Sequence, residues 1–257
     1  MLVSMEAYKV FSANNLKVIA AVVMFLDHFA TVFMPHNALL SLALRFFGRL
    51  AAPIFCFFVA QGFHYTSNRK KYIARLLVLA AVSHMPYNLA FGLTFFQATS
   101  VVWPLAMGLV ALAAIKNEKI HWFFKLAVFG LCCILSWTAN WNFVAVFWVV
   151  SFGLFHGNFK RQALGFCAIG AALHLAPAFL RFGFFHPVFP QWFQLGIFLA
   201  LPLLAMFSGK VSAQKQPAKK SAFMTWFFYV FYPAHLLFLF LLNRFTPLGQ
   251  AMSAFFP

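Results

Sequence analysis

The feature that most constrains this chain is an apolar run, Leu16–Met34, that carries an aspartate and a histidine in its interior. Its length is close to the roughly 20 helical residues that cross a bilayer. Asp27 and His28 lie more than half way along it. A carboxylate in the middle of a membrane costs roughly 2.5–3.5 kcal/mol on insertion scales, so such a group usually has a partner and a function.

The composition predicts a membrane protein and argues against a nucleic-acid partner. The chain is 64% hydrophobic and only 9% charged, and it contains 39 Phe. Such a balance is typical of a polytopic membrane protein in contact with lipids. The net charge of +16 arises from short basic loops between apolar runs, which is the positive-inside pattern and not that of a nucleic-acid-binding arm. The four cysteines lie in apolar runs and are predicted to be free thiols.

We therefore predict an all-α integral membrane protein, a polytopic helical bundle of about nine transmembrane helices, in a single transmembrane domain over residues 1–257. The predicted spans are 16–34, 42–64, 70–90, 100–115, 121–136, 142–156, 162–179, 192–208 and 222–243. The second span is predicted to be broken, because Arg45, Arg49 and Pro53 fall in its first half. The polar stretch 209–221 is predicted to be a cytoplasmic loop.

The distribution of Lys and Arg predicts the orientation. Fifteen of the 19 basic residues lie on the side of the amino terminus, and only Arg181 and Arg244 lie on the other. Because basic loops stay in the cytoplasm, the amino terminus is predicted to be cytoplasmic and the carboxyl terminus to lie outside.

Helical geometry places several ionisable groups at one depth. Lys17 and His28 are eleven residues apart, so they share a helix face about 16 Å apart along the axis. His84 and His235 lie at a similar depth in their own spans, slightly beyond the midplane. This spacing suits a long anionic ligand that lies along the first helix.

Arg49 enters the same layer from the opposite side of the membrane. Arg45 lies one turn away on the same face. The other acids, Glu6 and Glu118, lie in polar flanks, so Asp27 is predicted to pair with Arg49. The alternatives are structural: His84 and His235 could be satisfied polar residues between helices, and Arg45 could extend to the interface.

Three histidines and an aspartate could also ligate zinc. However, the chain has no HExxH or comparable local spacing, and Arg49 would repel a dication. We therefore predict no metal.

Three segments resemble a known family. They are LKVIAAVVMFLDHF (16–29), the long stretch from FFGRLAAPIF to AAVSHMP (46–86), and FFYVFYPAHLLFL (227–239). They resemble the TraX family, known for N-terminal acetylation of conjugative F-pilin. The spacing of Lys17 and His28, and the pattern Arg49, Pro53, Phe55, Gly62 and Phe63, are also similar to motifs of the membrane acyltransferase superfamily that O-acetylates glycans.

The resemblance implies an acyltransferase-like domain in the bacterial inner membrane. It would move an acetyl group from cytoplasmic acetyl-CoA to the N-terminal amine of a pilin-like membrane protein. His28 would act as general base, because an imidazole transfers protons reversibly near neutrality. Asp27 would hold Arg49, and Arg49 or His84 would polarise the thioester carbonyl.

His235 is a further candidate catalytic residue, and it is an alternative to His28 as the base. The remaining candidates would bind the donor, and they are Lys17, Arg45, Arg69, Lys70 and Lys71. Two other functions stay open: an O-acetyltransferase of a surface glycan, and a proton-coupled transporter, which also uses intramembrane Asp, His and Arg.

Overall fold

The structure, a computed structural model, describes residues 10–186, 190–207 and 218–246. All regular secondary structure in these residues is helical, with two isolated bridges, Phe11 to Phe207 and Thr99 to Ala139. The α-helices are α1 (Ala13–Phe33), α2 (Leu39–Gly48), α3 (Ala51–Tyr65), α4 (Arg69–Ala90), α5 (Val102–Ile115), α6 (Trp122–Leu135), α7 (Asn142–Leu154), α8 (Phe159–Ile169), α9 (Ala176–Phe182), α10 (Ala200–Ala205) and α11 (Ala218–Phe245). A π-helix, Gly170–Leu175, joins α8 to α9, and a 3₁₀-helix, Trp192–Leu199, precedes α10. The predicted all-α fold is confirmed.

Every predicted span overlaps a helical segment, but only some of these segments are long enough to cross a bilayer. The five long, apolar segments are Ala13–Phe33, Leu39–Tyr65, Arg69–Ala90, Phe159–Phe182 and Trp226–Phe245. The other four, Val102–Ile115, Trp122–Leu135, Asn142–Leu154 and Trp192–Ala205, are shorter. At 1.5 Å per residue, a helix of 14 residues extends about 21 Å, against a hydrocarbon core of about 30 Å.

The break predicted in the second span is present, between α2 and α3. Arg49 and Leu50 keep right-handed helical dihedrals there, so α3 continues from α2 after an interruption. Pro53 does not cause the break, because it lies in the first turn of α3, where its missing N–H would have no partner anyway. Residues 209–217 of the predicted loop lie outside the described residues, and α11 begins at Ala218, before the predicted end of the loop.

The helices around α1 position the polar groups. The first helix packs against α2, α3 and α11, while α2 also packs against the 3₁₀-helix. The centre of the bundle is formed by α5 and α7, whose packed face includes Leu109, Leu112, Val144 and Trp148, all fully buried. This core holds α3 against α7 and α4 against α5.

One end of the bundle gathers the basic residues. His64 at the end of α3 hydrogen-bonds the carbonyl of Gly153 near the end of α7, at 2.9 Å, and stacks on His156 at 4.0 Å. Lys116, just after α5, acts electrostatically on His156. We call this the basic end, and the connection between α1 and α2 lies at the far end. The basic end carries Lys17, Arg69, Lys70, Lys71, Arg75, Lys116, Lys160 and Arg161.

Candidate functional site

The predicted ion pair between Asp27 and Arg49 is present. One terminal nitrogen of Arg49, Nη2, donates to both carboxylate oxygens of Asp27, at 2.7 and 2.6 Å. It is the sole salt bridge among the described residues. The guanidinium also lies over the rings of Trp141, at 5.1 Å, and Phe193, at 5.5 Å. The charge of Asp27 is therefore compensated inside the bundle, as a carboxylate in an apolar segment requires.

Two glycines allow the approach that forms this pair. A Cβ on Gly48 would lie 2.3 Å from the Cβ of Asp27, and one on Gly196 would lie 1.8 Å from the carbonyl oxygen of Phe46. Neither distance is possible for a side chain. Gly48 thus lets α2 contact α1, and Gly196 lets the 3₁₀-helix contact α2. Arg49, at the end of α2, is therefore held between α1 and the 3₁₀-helix.

The two histidines of the site come from opposite ends of the chain. Nδ1 of His28 lies 2.9 Å from Nε2 of His235, and the rings are nearly parallel, at 7°. Nδ1 of His235 lies 2.9 Å from the carbonyl oxygen of Phe231, one turn earlier in α11. The structure therefore joins two of the predicted catalytic residues directly.

These hydrogen bonds determine the tautomers of the neutral pair. A carbonyl oxygen only accepts, so Nδ1 of His235 carries a proton and its Nε2 has a lone pair. Nδ1–H of His28 donates to that lone pair, which leaves Nε2 of His28 unprotonated. This Nε2 forms no hydrogen bond with any residue in the described ranges. His28 is thus prepared to accept a proton, and His235 orients it.

The surroundings of the pair are aromatic and nearly dry. Phe91 presents its ring to His28 at 5.2 Å and 84°, and Phe231 stacks on His235 at 4.9 Å. His28 is 5% exposed and His235 is 4% exposed. Electrostatic interactions act strongly in such a site, because little water screens them.

A cavity of about 540 Å³ leads from the basic end toward this pair. Lys17, Tyr65, Thr66 and Arg75 line it at the basic end. Farther along α1 and α11, the cavity is lined by residues one turn away from the two histidines. Met24 lies one turn before His28, and Phe231 and Tyr232 lie one turn before His235.

The predicted donor-binding residues separate into two groups. Lys17 lines the cavity, and its ammonium lies 5.1 Å from the ring centre of Phe58. Arg69, Lys70 and Lys71 are exposed at the same end but do not line the cavity. They begin α4 and lie between Thr66 and Arg75 in the chain, two residues that do line the cavity.

Arg45 does not belong with these residues. Its guanidinium lies 4.2 Å from the ring centre of Phe193, and it acts electrostatically on His36 in the connection between α1 and α2. That connection is at the far end of α1 from Lys17, so Arg45 lies apart from Lys17 and does not line the cavity. The sequence predicted that Arg45 lies one turn from Arg49. It could not show that Arg45 lies on the side of the ion pair away from Lys17, toward the connection between α1 and α2.

His84 does not join the histidine pair. Its Nε2 lies 2.8 Å from the carbonyl oxygen of Phe95, and Asn88 donates to the same oxygen at 3.2 Å. His84 forms no hydrogen bond with Asp27, His28 or Arg49 among the described residues. The structure therefore favours the structural alternative, in which His84 fastens the connection after α4.

Two residues near the site, Arg75 and His174, are not among the predicted site residues. Arg75 lines the cavity one turn after Lys71, which a search for basic residues on the face of α4 could have found. His174 stacks on Trp141 at 4.7 Å and lies 3.0 Å from Oε1 of Gln194. His174 is carried by the π-helix, a feature that often accompanies functional sites and that no spacing rule reveals.

Comparison with known proteins identifies a family and a relative for this chain. A family described as "TraX protein" matches residues 12–243. A probable fimbrial assembly protein, FimC of serogroup H1 from Dichelobacter nodosus, is 29% identical over 240 residues, which cover 88% of this chain and 93% of the relative. No solved structure matches the chain. The family match extends over all the elements that build the ion pair, the histidine pair and the cavity, and the chain belongs to the TraX family.

Proposed function

We propose that this protein is a membrane-embedded acetyltransferase that moves an acetyl group from cytoplasmic acetyl-CoA to the N-terminal amine of a pilin-like protein. The observation that carries the proposal is the cavity from Lys17 and Arg75 to the neighbours of the His28–His235 pair. A transporter would not need a basic pocket whose lining extends to within one helical turn of an oriented base.

The cavity has the properties that coenzyme A requires. Its mouth carries Lys17 and Arg75, with Arg69, Lys70 and Lys71 at the same end of the bundle, and these cations match phosphates. Its inner lining is mostly apolar, with Leu79, Val102 and Leu105 among the residues, which suits the pantetheine arm. Lys17 and His28 are separated by about 16 Å along α1, so an extended arm can reach the base. The basic end would face the cytoplasm, where the donor is made.

His28 would act as the general base. The amine nitrogen attacks the thioester carbonyl carbon and forms the new C–N bond, while Nε2 of His28 accepts the proton that the nitrogen loses. The C–S bond then breaks, and the leaving sulfur takes that proton from His28. The products are the acetylated amine and free coenzyme A, and the base is regenerated.

Arg49 and His235 would support this step. Arg49 uses Nη2 for Asp27, and its Nε has no hydrogen-bond partner among the described residues. It can therefore stabilise the oxyanion that forms on the thioester carbonyl. His235 would keep His28 in the reactive tautomer and share the positive charge that develops on it.

The acceptor is proposed from the family and the relative. The TraX family resemblance points to a pilin amine, and the Dichelobacter relative is described as a fimbrial assembly protein. A pilin-like amine is therefore favoured over a glycan hydroxyl.

The proposal is tested with purified protein in lipid nanodiscs, labelled acetyl-CoA and membranes that contain the acceptor. His28→Ala should lower the rate of labelling by about 10²–10⁴-fold, as expected for loss of a general base. His235→Gln should lower it by roughly 10–100-fold, as for the orienting partner of a functional histidine. The matched control is His121→Asn, which keeps the cap of α6 far from the pair.

Two results would contradict this function. Full labelling by the His28→Ala protein would contradict the assignment of His28 as the general base. Acetyl-CoA at saturating concentration should raise the melting temperature of the wild-type protein. If it does not, acetyl-CoA is not the donor, and the transporter function is favoured.

A further inference from the structure

Arg45 is a half-buried cation that forms no salt bridge in the described part of the chain. Asp27 already accepts two hydrogen bonds from Arg49. Glu118, the other acid in the described residues, is exposed between α5 and α6 at the basic end, and Glu6 lies outside the described residues. The site therefore contains two guanidinium groups and one carboxylate, and an excess cation in an apolar segment calls for an anion.

Arg45 also does not extend toward lipid. The exposed face of α2 carries Leu39, Leu40 and Phe47, whereas the opposite face carries Ser41, which is fully buried. Arg45 lies one turn after Ser41 and places its guanidinium over Phe193 of the 3₁₀-helix. The guanidinium of Arg45 therefore packs against the 3₁₀-helix, on the inward side of α2.

Three polar groups without partners lie on this inward face of α2. Oγ of Ser41, Nε of Arg45 and Nε of Arg49 are buried, and none forms a hydrogen bond within residues 10–186, 190–207 and 218–246. Consecutive members are four residues apart, so the row rises by about 6 Å per step. Buried donors without partners are rare, and each needs an explanation such as a bound ligand.

The row begins at the far end of the bundle and ends at the ion pair. His36 lies in the connection between α1 and α2, where burial and, to a lesser extent, the nearby charge of Arg45 lower its pKa. The donor cavity is lined by Lys17 and Arg75 and does not include Arg45. An acceptor that approaches His28 opposite the donor would pass along this row.

We propose that Arg45 binds a carboxylate of the acceptor, supplied by an acidic residue a few positions after the amine that is acetylated. The proposal rests on the proposed function for the identity of the acceptor. The carboxylate would accept hydrogen bonds from Arg45 and supply the missing negative charge. Acceptors with an acidic residue at the correct spacing would then be preferred over neutral ones.

The test uses fluorescent peptides with a free N-terminal amine, each with a single Glu, Gln or Lys that is placed in turn at the second to sixth positions. Binding to the wild-type protein in nanodiscs of neutral lipid is measured by anisotropy. At one position Glu should improve the Kd by at least about tenfold over Gln, because hydrogen bonds to charged partners are the stronger class. Arg45→Gln should make the two peptides equal, and Arg45→Glu should reverse the preference toward Lys.

Arg181→Gln is the matched control, since Arg181 is exposed in the last turn of α9, and it should keep the preference for Glu. Arg45→Lys should keep a weaker preference, which shows that the charge and not the folding of the variant is measured. Equal binding of Glu and Gln peptides at every position, or a preference that survives in Arg45→Gln, would overturn the inference. Loss of the preference when anionic lipid is added would instead assign the site to a lipid phosphate.

The two proposals fail separately. Binding that depends on Glu, without acetyl transfer to any peptide, would support the anion site and contradict the proposed function. Acetyl transfer without discrimination between Glu and Gln would contradict the anion site alone.

Discussion

The charge arrangement at the site predicts that replacing Asp27 destabilises the protein more than replacing Arg49. Asp27 compensates Arg49 directly and also acts electrostatically on Arg45. Removing Arg49 therefore leaves one carboxylate and one guanidinium, which can attract each other. Removing Asp27 leaves two guanidinium groups one turn apart with no carboxylate between them, which is the worse arrangement.

The magnitudes follow from the burial and the spacing. Breaking a buried pair by removing one partner costs about 3–5 kcal/mol, and the Arg49→Gln protein should lie at the lower end because Arg45 remains. Two like charges about 6 Å apart, at an effective dielectric constant of about 20, repel by about 3 kcal/mol. Asp27→Asn should therefore destabilise the protein more than Arg49→Gln, by about 1–3 kcal/mol.

The assay can use a thiol of the chain itself. Cys56 is a free thiol on α3 and is fully buried. When the other three free cysteines are replaced by Ala in every variant, a thiol-reactive dye reports the exposure of Cys56 as the purified protein is heated. At about 2–4 °C for each kcal/mol in a chain of this size, Arg49→Gln should lower Tm by roughly 6–12 °C. The double variant Asp27→Asn with Arg49→Gln should recover part of the loss from Asp27→Asn alone, because one unpaired cation is removed.

The control for this series is Arg181→Gln, which should change Tm by no more than about 1 °C, because exposed substitutions have small effects. This charge arrangement is refuted if Asp27→Asn destabilises the protein less than Arg49→Gln. It is also refuted if the double variant is as unstable as the sum of the two single variants, since this would mean that the residues do not interact.

Three further predictions follow from other parts of the structure. Gly196→Ala should lower Tm strongly because its Cβ would overlap the carbonyl oxygen of Phe46, whereas Gly130→Ala, with nothing within 4 Å, should be tolerated. Lys17→Ala should raise KM for acetyl-CoA more than it lowers kcat, and it should leave KM for acetyl-pantetheine, which lacks the nucleotide phosphates, nearly unchanged. Burial, His64 and Lys116 lower the pKa of His156, so the unfolded chain binds a proton at a pH where the folded chain does not. Stability should then fall as the pH drops below about 6.5, and melting at pH 7.5 and 5.5 should show a smaller fall for His156→Gln.

The helical membrane character of the chain could be predicted because it depends on composition and local pattern. Apolar runs of helical length are visible in any window, and each predicted span overlaps a helix or a 3₁₀-helix in the structure. The ion pair could also be predicted, because Asp27 was the single acid in an apolar run and therefore had few possible partners. The lengths of the segments were harder to predict from the sequence. Helices such as α5 and α7 end where the chain turns into a connection and not where the apolar residues stop.

The position of His84 shows the limit of reasoning from depth. His84, His28 and His235 occupy similar depths in their helices, but depth does not determine the direction in which a side chain points around the bundle. His84 faces the carbonyl of Phe95, whereas His235 faces His28. The same limit applies to Arg45, whose side of the ion pair depends on the contact between α2 and the 3₁₀-helix.

The sequence by itself determined that this is a helical membrane protein with a charged centre, because buried charge and apolar length are properties of single segments. Only the folded arrangement showed which histidine is the partner of His28, where the cavity runs, and that Arg45 forms no salt bridge with another described residue. Those features depend on helices distant in the chain and on close approaches at Gly48 and Gly196. Such contacts are set by three-dimensional packing, which no periodicity along one helix contains.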